Sequence, residues 1–347
     1  MTDLPATGHE LLLHVDDLKV QFDTDDGVVR AVDGVSFQIH RGDVFSIVGE
    51  SGSGKSVSVM SLLGLLPSPP SRVAGGRALW KGEDLLTMSS DQLRRIRGKE
   101  IAMIFQDPMT ALNPVHTIGR QIGEVARIHD GLSKSQARRR AIEVLDLVGI
   151  PQAASRVDNF PHEFSGGMRQ RVMIAMAIVC EPDLLIADEP TTALDVTVQA
   201  QVLDVLLEIQ QRIRSALLLI THDLGVVAGT ADRVLVMYAG RPVEQGSTDE
   251  TFYVPCHPYT RGLLGSLPRL DDKRGGQLHP IAGHPPSLLH PPSGCSFHPR
   301  CPIALVPGVC ATDDPALRPA PEGDGSHVVA CHRADEADVI AAVGRTA

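Results

Sequence analysis

A glycine-rich stretch decides the fold of this chain, and it reads Gly49-Glu50-Ser51-Gly52-Ser53-Gly54-Lys55-Ser56. It follows an apolar run, Val44–Val48, and precedes a segment of helical character from Val57 to Leu66. This strand–loop–helix order is the context that a phosphate-binding loop requires. Glycines let the backbone turn so that successive N–H groups point at one anion, and the start of the following helix adds positive potential.

The stretch therefore predicts a nucleotide site with a bound divalent cation. We expect Lys55 to reach the β- and γ-phosphates of the nucleotide and the Ser56 hydroxyl to bind Mg²⁺. The other residues expected to surround the phosphates are Gly49, Ser51, Gly52, Ser53 and Gly54.

Length, charge and hydropathy limit the remaining classes of function. The chain has 347 residues, enough for one large α/β domain and an appendage. Its net charge of −10, from 32 basic and 42 acidic residues, disfavours nonspecific binding to nucleic acid. The longest apolar run, Val172–Cys180, is too short to cross a bilayer. The N-terminus lacks a signal-peptide pattern, so a cytoplasmic protein is expected.

Strand and helix patterns divide the chain into three parts. Residues 11–22 and 28–39 read as paired strands, and short apolar strands alternate with helices around the phosphate loop and again from residue 184 to 238. Between them, residues 107–164 show only helical spacing and are predicted to form an inserted helical subdomain. The alternation favours a largely parallel sheet that is covered on both faces.

The last part of the chain differs in composition. Residues 255–347 hold 14 of the 25 prolines, seven of the 14 histidines and five of the six cysteines. This composition predicts a separate, loop-rich region with little core of its own.

Polar residues follow three of the predicted core strands. Asp188 and Glu189 end the strand Leu184–Ala187; we expect Asp188 to hold Mg²⁺ opposite Ser56, and Glu189 to polarise the attacking water. His222 follows the strand 217–221 and is placed to reach the γ-phosphate, although a histidine at a strand end is more often structural. Gln106 follows the strand 101–105 and is expected to sense Mg²⁺ or water.

A second glycine-containing helix start lies at Ser165-Gly166-Gly167. Its hydroxyl and N–H groups fit an ordinary serine N-cap, and they also fit a second anion site. A single chain needs one phosphate site, whereas a dimer can use both.

Together these motifs resemble the ATP-binding-cassette (ABC) ATPases in order and spacing over about residues 8–250. The resemblance matches Gln106 to the glutamine loop, Ser165–Gly167 to the signature and His222 to the switch histidine. Thr192-Ala193-Leu194-Asp195 matches the loop that crosses the dimer interface.

The resemblance implies a P-loop NTPase fold over residues 8–254: a RecA-like core, an antiparallel β-subdomain and the inserted helical subdomain. It also implies that ATP and Mg²⁺ lie between two subunits packed head to tail, with Asp195 and the signature near the nucleotide. The family stacks adenine on an aromatic residue before the phosphate loop. Phe22 is the candidate here, and Arg30 is the alternative.

Two runs in the extension narrow the resemblance to the dipeptide/oligopeptide and nickel importer ATPases. They are Cys256-His257-Pro258-Tyr259-Thr260-Arg261-Gly262-Leu263-Leu264 and Gly294-Cys295-Ser296-Phe297-His298-Pro299-Arg300-Cys301-Pro302. This branch implies ATP hydrolysis that drives peptide import, with a nickel importer as the alternative.

The same branch implies the partners. They are two membrane permeases, a second homologous ATPase or a second copy of this chain, and an extracytoplasmic substrate-binding protein, with the ATPase at the cytoplasmic face of the membrane.

A noncatalytic ATP binder would be expected to lack Glu189 or His222, and both are present.

Four cysteines in the extension form a candidate metal site. Cys295, Cys301, Cys310 and Cys331 are separated by five, eight and 20 residues, which is neither a zinc-ribbon nor a ferredoxin spacing. The spacing alone leaves a metal site undecided. The resemblance implies a 4Fe–4S cluster, with zinc as the alternative and His298, His327 or His332 as substitute ligands.

Overall fold

The computed structural model describes residues 10–192, 194–266, 281–321, 325–336 and 339–340. Residues 8 and 9 of the predicted cassette, Ala193 of the interface loop and residues 341–347 of the extension lie outside this part of the chain. The described residues form two β-sheets with helices around them.

The smaller sheet is antiparallel and has the strand order β2-β1-β4-β5. Its strands are β1 (Leu11–Thr24), β2 (Gly27–His40), β4 (Ser71–Trp80) and β5 (Glu83–Asp84). Inward-facing residues of β1, such as Val15, Leu18 and Val20, are fully buried. The sheet therefore presents one apolar face to the core, as antiparallel sheets commonly do. This confirms the predicted pairing of the first two strands.

The larger sheet has the strand order β11-β12-β10-β9-β3-β8-β7-β6. Its strands are β3 (Val44–Val48), β6 (Ile101–Ile104), β7 (Leu184–Asp188), β8 (Ala216–Thr221), β9 (Arg233–Tyr238), β10 (Arg241–Ser247), β11 (Arg318–Pro319) and β12 (Val328–Val329). The pairs from β9 to β6 are parallel, while β10, β11 and β12 pair antiparallel. The carboxyl ends of the parallel strands meet at one edge, where open α/β sheets bind their ligands.

Alternating side chains of the central strand β8 separate two cores. Leu217 and Leu219 pack with the helical layer, whereas Leu218 and Ile220 pack with the antiparallel sheet. Because both faces are covered, β3, β7 and β8 are buried along their whole length. This confirms the predicted parallel sheet.

Helices cover the sheets and build the predicted subdomain. The helices of the cassette are α1 (Lys55–Leu62), α2 (Ser90–Ile96), α3 (Pro108–Ala111), α4 (Ile118–Asp130), α5 (Lys134–Leu147), α6 (Ala153–Arg156), α7 (Gly166–Ile178), α8 (Val196–Ile213), α9 (Leu224–Thr230) and α10 (Thr248–Tyr253). Within residues 107–164 the structure has only helices and turns, as predicted. Among the described helices, none is both long and apolar enough to cross a bilayer.

The extension is not the separate region that its composition predicts. Its helices are α11 (Pro258–Gly265) and α12 (Val309–Thr312), and its strands β11 and β12 continue the main sheet at β10. Tyr259 and Phe297 pack with Val48, Val236 and Tyr238 of the cassette. Composition indicates that the extension has little core of its own, but it does not reveal that these aromatic residues complete a core of the cassette.

At two glycine- and proline-containing segments the observed structure differs from what the local sequence favours. Strand β4 begins at Ser71, directly after the proline-rich stretch 67–70, and it runs through the Gly75–Gly76 pair. The segment 241–247 resembles a turn because it contains Pro242 and Gly246, yet it forms strand β10. Burial of Val243 and Glu244 shows that tertiary packing overrides this local preference.

Candidate active site

The phosphate loop joins β3 to α1 and needs glycine at both of its ends. A Cβ atom on Gly49 (φ 149°) would lie 2.2 Å from the carbonyl oxygen of Met237. A Cβ atom on Gly54 (φ 98°) would lie 2.3 Å from the carbonyl oxygen of Ala31. Only glycine fits such close backbone approaches, so neighbouring strands fix the shape of the loop.

Lys55 lies under this loop with 5% of its surface exposed. Its ammonium group donates to the carbonyl oxygens of Gly49 at 2.8 Å and Glu50 at 3.0 Å. Burial lowers the pKa of Lys55, and the nearby carboxylates of Glu189, Asp188 and Glu50 oppose that shift. The amine is thus held at the loop, where an anionic phosphate would stabilise its charge.

Ser56 and Asp188 meet at the carboxyl edge of the sheet. The Ser56 hydroxyl donates to Asp188 at 2.8 Å, and Asp188 is 6% exposed. Burial raises the pKa of Asp188; the bond from Ser56 lowers it, and the charge of Glu189 raises it further. A hydroxyl and a carboxylate are the oxygen ligands that Mg²⁺ prefers, so these residues fit the ion.

Glu189 is the centre of a group of polar side chains. Its Oε2 accepts hydrogen bonds from Gln106 Nε2 at 3.0 Å and from the Thr192 hydroxyl at 2.9 Å. Its Oε1 lies 3.4 Å from His222 Nδ1. Glu189 also has φ 46°, a conformation that is uncommon for a residue with a side chain and that clusters at functional sites.

These residues line one cleft of about 550 Å³. The lining includes Glu50, Ser51, Gly52, Gly54, Lys55, Ser56, Val57, Gln106, Glu189 and His222. Glu189 and the phosphate loop thus face the same space from two sides. A carboxylate so placed can accept a proton from a water molecule that attacks a bound phosphate.

Comparison with known proteins agrees with this geometry. The chain matches the ABC transporter family over residues 32–192 and the oligopeptide/dipeptide transporter C-terminal region over residues 243–306. It is 56% identical over 297 residues to the dipeptide transport ATP-binding protein DppD of Bacillus subtilis, covering 86% of this chain and 88% of the relative. The chain belongs to the ABC transporter ATPases.

Two further similarities agree with this assignment. The ATPase is 52% identical over 329 residues to a probable peptide ABC transporter ATP-binding protein of Sinorhizobium fredii, covering 94% of this chain and 96% of the relative. A solved dimeric ATP-binding cassette in a post-hydrolysis state with ADP and phosphate has a TM-score of 0.61 at 24% identity, covering 68% of this chain and 99% of that one. The latter shows a common fold.

The signature of the ATPase lies apart from the cleft. Ser165 is exposed and caps helix α7, accepting from the Met168 N–H at 3.4 Å. Asp195 is also exposed; it caps helix α8 and accepts from the Val198 N–H at 3.0 Å. Neither residue, nor Gly166 or Gly167, is among the residues that line the cleft.

The structure does not place either adenine candidate in the cleft of the ATPase. Phe22 is half-buried and packs against the core beneath the antiparallel sheet. Arg30 is exposed and lines a different depression, together with Leu288 and Pro291 of the extension. The stacking of adenine on Phe22 or Arg30 stays a prediction.

The four predicted cysteines of the ATPase line a single small pocket and form no disulfide. Burial raises the pKa of Cys301 to about 12 and that of Cys331 to about 11. These thiols are therefore protonated at neutral pH unless a metal displaces the protons. His298 and His332 also line the pocket, but His327 does not.

His327 takes part in a different buried group. Glu244, Cys256 and His327 bring one ligand atom each within 4.8 Å of one another, and no other three His, Cys, Asp or Glu residues in the described part of the chain are grouped so closely. Here His327 Nε2 lies 2.8 Å from Glu244 Oε1, and the Cys256 N–H donates to the same oxygen at 2.6 Å. These hydrogen bonds attach the extension to β10.

Proposed function

We propose that this ATPase is the ATP-hydrolysing subunit of a bacterial importer for dipeptides or oligopeptides. One observation supports ATP hydrolysis. Glu189, which accepts hydrogen bonds from Gln106 and Thr192, faces the phosphate loop across a cleft. The C-terminal region of the oligopeptide/dipeptide type and the similarity to DppD support peptides as the transported class.

In this proposal each polar group of the cleft has a separate role. Lys55 binds the β- and γ-phosphates, while Ser56 and Asp188 hold Mg²⁺. Glu189 orients and polarises the attacking water, and His222 contacts the γ-phosphate. Gln106 lies where the core joins the helical subdomain, so it links the state of the nucleotide to that subdomain.

A second ATPase subunit would complete the site. Ser165 and Gly166 are exposed at a helix start, which is suited to the phosphates of a nucleotide bound by a partner. Val196, next to Asp195, is 83% exposed and is therefore accessible to a partner subunit. We infer a head-to-tail dimer with a related ATPase or with a second copy of this chain.

The membrane partners would contact the helical subdomain. Met109 is 63% exposed, Val115 is 72% exposed and Phe160 is 37% exposed. Arg169 links Met109 to the segment next to Phe160, because its guanidinium group contacts both the Met109 sulfur and the Pro161 carbonyl oxygen. We propose that these residues receive two permease subunits at the cytoplasmic face of the membrane, with an extracytoplasmic protein that delivers the substrate.

Reconstitution tests this proposal. The ATPase is assembled with its permeases in vesicles, and hydrolysis is measured with binding protein that carries dipeptides, longer peptides or Ni²⁺. We expect peptide-loaded binding protein to stimulate hydrolysis. Stimulation by Ni²⁺ alone would contradict the peptide assignment, and failure to assemble with any permease would contradict the transporter assignment.

We also propose that Cys295, Cys301, Cys310 and Cys331 hold a 4Fe–4S cluster, with residues 255–347 as the extension that contains it and 8–254 as the cassette. The four cysteines share a pocket, and four cysteine thiolates are the ligand set of a 4Fe–4S cluster. Such a cluster would supply a crosslink to the loop-rich extension, and zinc is the alternative.

Metal analysis tests this assignment. Protein purified without oxygen is expected to contain iron and sulfide and to absorb visible light, and the C301S variant to lose both. C180A is the matched control, because Cys180 is buried in the core of the cassette outside the pocket. Zinc in place of iron would contradict the cluster.

A further inference from the structure

Glu50 of the phosphate loop is bound by two residues of the extension. Its carboxylate accepts two hydrogen bonds from the Arg300 guanidinium, at 2.7 Å and 3.1 Å. Its backbone N–H donates to the Tyr259 hydroxyl at 2.9 Å. Side chain and main chain of one loop residue are thus fixed from outside the cassette.

The Arg300 contact is built differently from a surface ion pair. The Arg300 side chain is 5% exposed, and it also donates to the Ala282 carbonyl oxygen at 2.9 Å. Its guanidinium lies 5.8 Å from the ring centre of Tyr238. A buried arginine that makes two parallel hydrogen bonds to a carboxylate forms a stronger ion pair than two solvent-exposed side chains do.

Tyr259 is held equally firmly. It is fully buried, and its ring centre lies 4.6 Å from that of Tyr238 and 5.3 Å from that of Phe297. Aromatic packing of this kind restricts the ring, so the hydroxyl has a fixed position from which to accept the Glu50 N–H.

Glu50 in turn contacts the phosphate-binding lysine. Its carbonyl oxygen accepts a hydrogen bond from Lys55 Nζ at 3.0 Å. Lys55 Nζ also donates to the Gly49 carbonyl oxygen at 2.8 Å, and that carbonyl belongs to the same peptide unit as the Glu50 N–H that Tyr259 binds. Arg300 and Tyr259 therefore act on one residue, Glu50, whose flanking peptide units both contact Lys55. Arg300 also immediately precedes Cys301, so the turn that holds Glu50 forms part of the cysteine pocket.

We propose that Arg300 and Tyr259 are positioning residues of the ATP site, which hold the phosphate loop in its binding shape through Glu50. The extension is then a structural part of nucleotide binding rather than an appendage. This inference rests on the proposed role of the cleft as the ATP site.

The test is a double-mutant cycle on the full-length chain, read by equilibrium binding of Mg-ATP and by steady-state hydrolysis. We expect R300Q and E50Q each to weaken ATP binding roughly tenfold, and the double variant to be no weaker than either single variant. R300K should restore part of the affinity. Y259F, which removes only the hydroxyl, should weaken binding about threefold.

R318Q is the matched control. Arg318 also lies in the extension and contacts the Cys331 carbonyl oxygen and Asp335, but it does not contact the phosphate loop. We expect its ATP affinity to be unchanged. The thermal unfolding temperature of every variant is measured, which distinguishes a positioning role from loss of folding. If R300Q does not fold, the milder R300K and Y259F variants test the proposal in its place.

The outcomes separate the two proposals. Wild-type protein that fails to bind ATP would contradict the proposed function itself. If the wild type binds ATP but R300Q and Y259F bind it equally well, the positioning role is wrong and the ATP site stands. Additive losses in the double variant would also overturn the link through Glu50.

Discussion

Two glycine-containing helix starts in this chain have similar chemistry and different surroundings. The phosphate loop before α1 is enclosed by Lys55, Gln106, Glu189 and His222 in one cleft. The start of α7 at Ser165 is exposed and lies outside that cleft. Both have the N–H donors that suit an anion, and the first shares its cleft with the groups proposed to carry out hydrolysis.

This difference supports the proposal that the ATP site is divided between two subunits. A helix start supplies N–H donors and positive potential, and hydrolysis also needs a positioned base and a cation. The first helix start has a candidate base, Glu189, and candidate ligands for the cation, Ser56 and Asp188, within its own chain. We propose that the second acts on a nucleotide that another subunit presents.

The largest effect is expected from E189Q. The amide keeps the shape and one acceptor oxygen but loses the charge that attracts a proton, so kcat should fall roughly 10³-fold. ATP binding should persist, which equilibrium titration with Mg-ATP checks. E208Q, at an exposed position of α8, is the control and should hydrolyse ATP normally. Persistent hydrolysis by E189Q would refute the role of Glu189.

A somewhat smaller effect is expected from K55A, and it should appear in binding. Removal of a buried charge that pairs with phosphate should weaken ATP binding about 100-fold. K99A is the control, since Lys99 forms an ion pair with Asp130 outside the cleft. If K55A bound ATP as tightly as wild type, the phosphate loop would not be the nucleotide site.

The smallest effect is expected from D195A. Asp195 caps α8, and loss of this cap should lower the free energy of unfolding by about 1 kcal/mol. Denaturant unfolding measures the change. D204A, an exposed position within the same helix, should leave stability nearly unchanged. Equal losses in both variants would show that helix content, rather than the cap, determines the effect.

The sequence predicts the cleft well because its signals are local. The phosphate loop, Asp188, Glu189 and His222 each follow an apolar strand, and parallel strands bring their carboxyl ends to one edge. Contacts between distant segments carry no such signal. The pairing of Glu50 with Arg300 joins residues 250 positions apart.

Two further features depend on packing between distant segments. The aromatic type and position of Phe22 predict an adenine contact, and the structure adds that its half-buried ring packs against the core beneath the antiparallel sheet. The extension is predicted as separate because prolines, histidines and cysteines are concentrated in it. Tyr259 and Phe297 nevertheless pack into the cassette, a partnership that local composition does not reveal.

The most direct test of the divided site is G166A in the assembled transporter, with ATP affinity and hydrolysis measured on the same sample. A Cβ atom on Gly166 would make only an ordinary contact, 3.7 Å from Leu194, so the fold should tolerate it. We predict unchanged ATP affinity and turnover reduced roughly tenfold, because the added methyl group shifts the γ-phosphate of the partner's nucleotide out of line for attack while the phosphate loop keeps its own contacts. An ATP affinity that falls in step with turnover, or turnover equal to that of the wild type, would contradict an ATP site divided between two subunits.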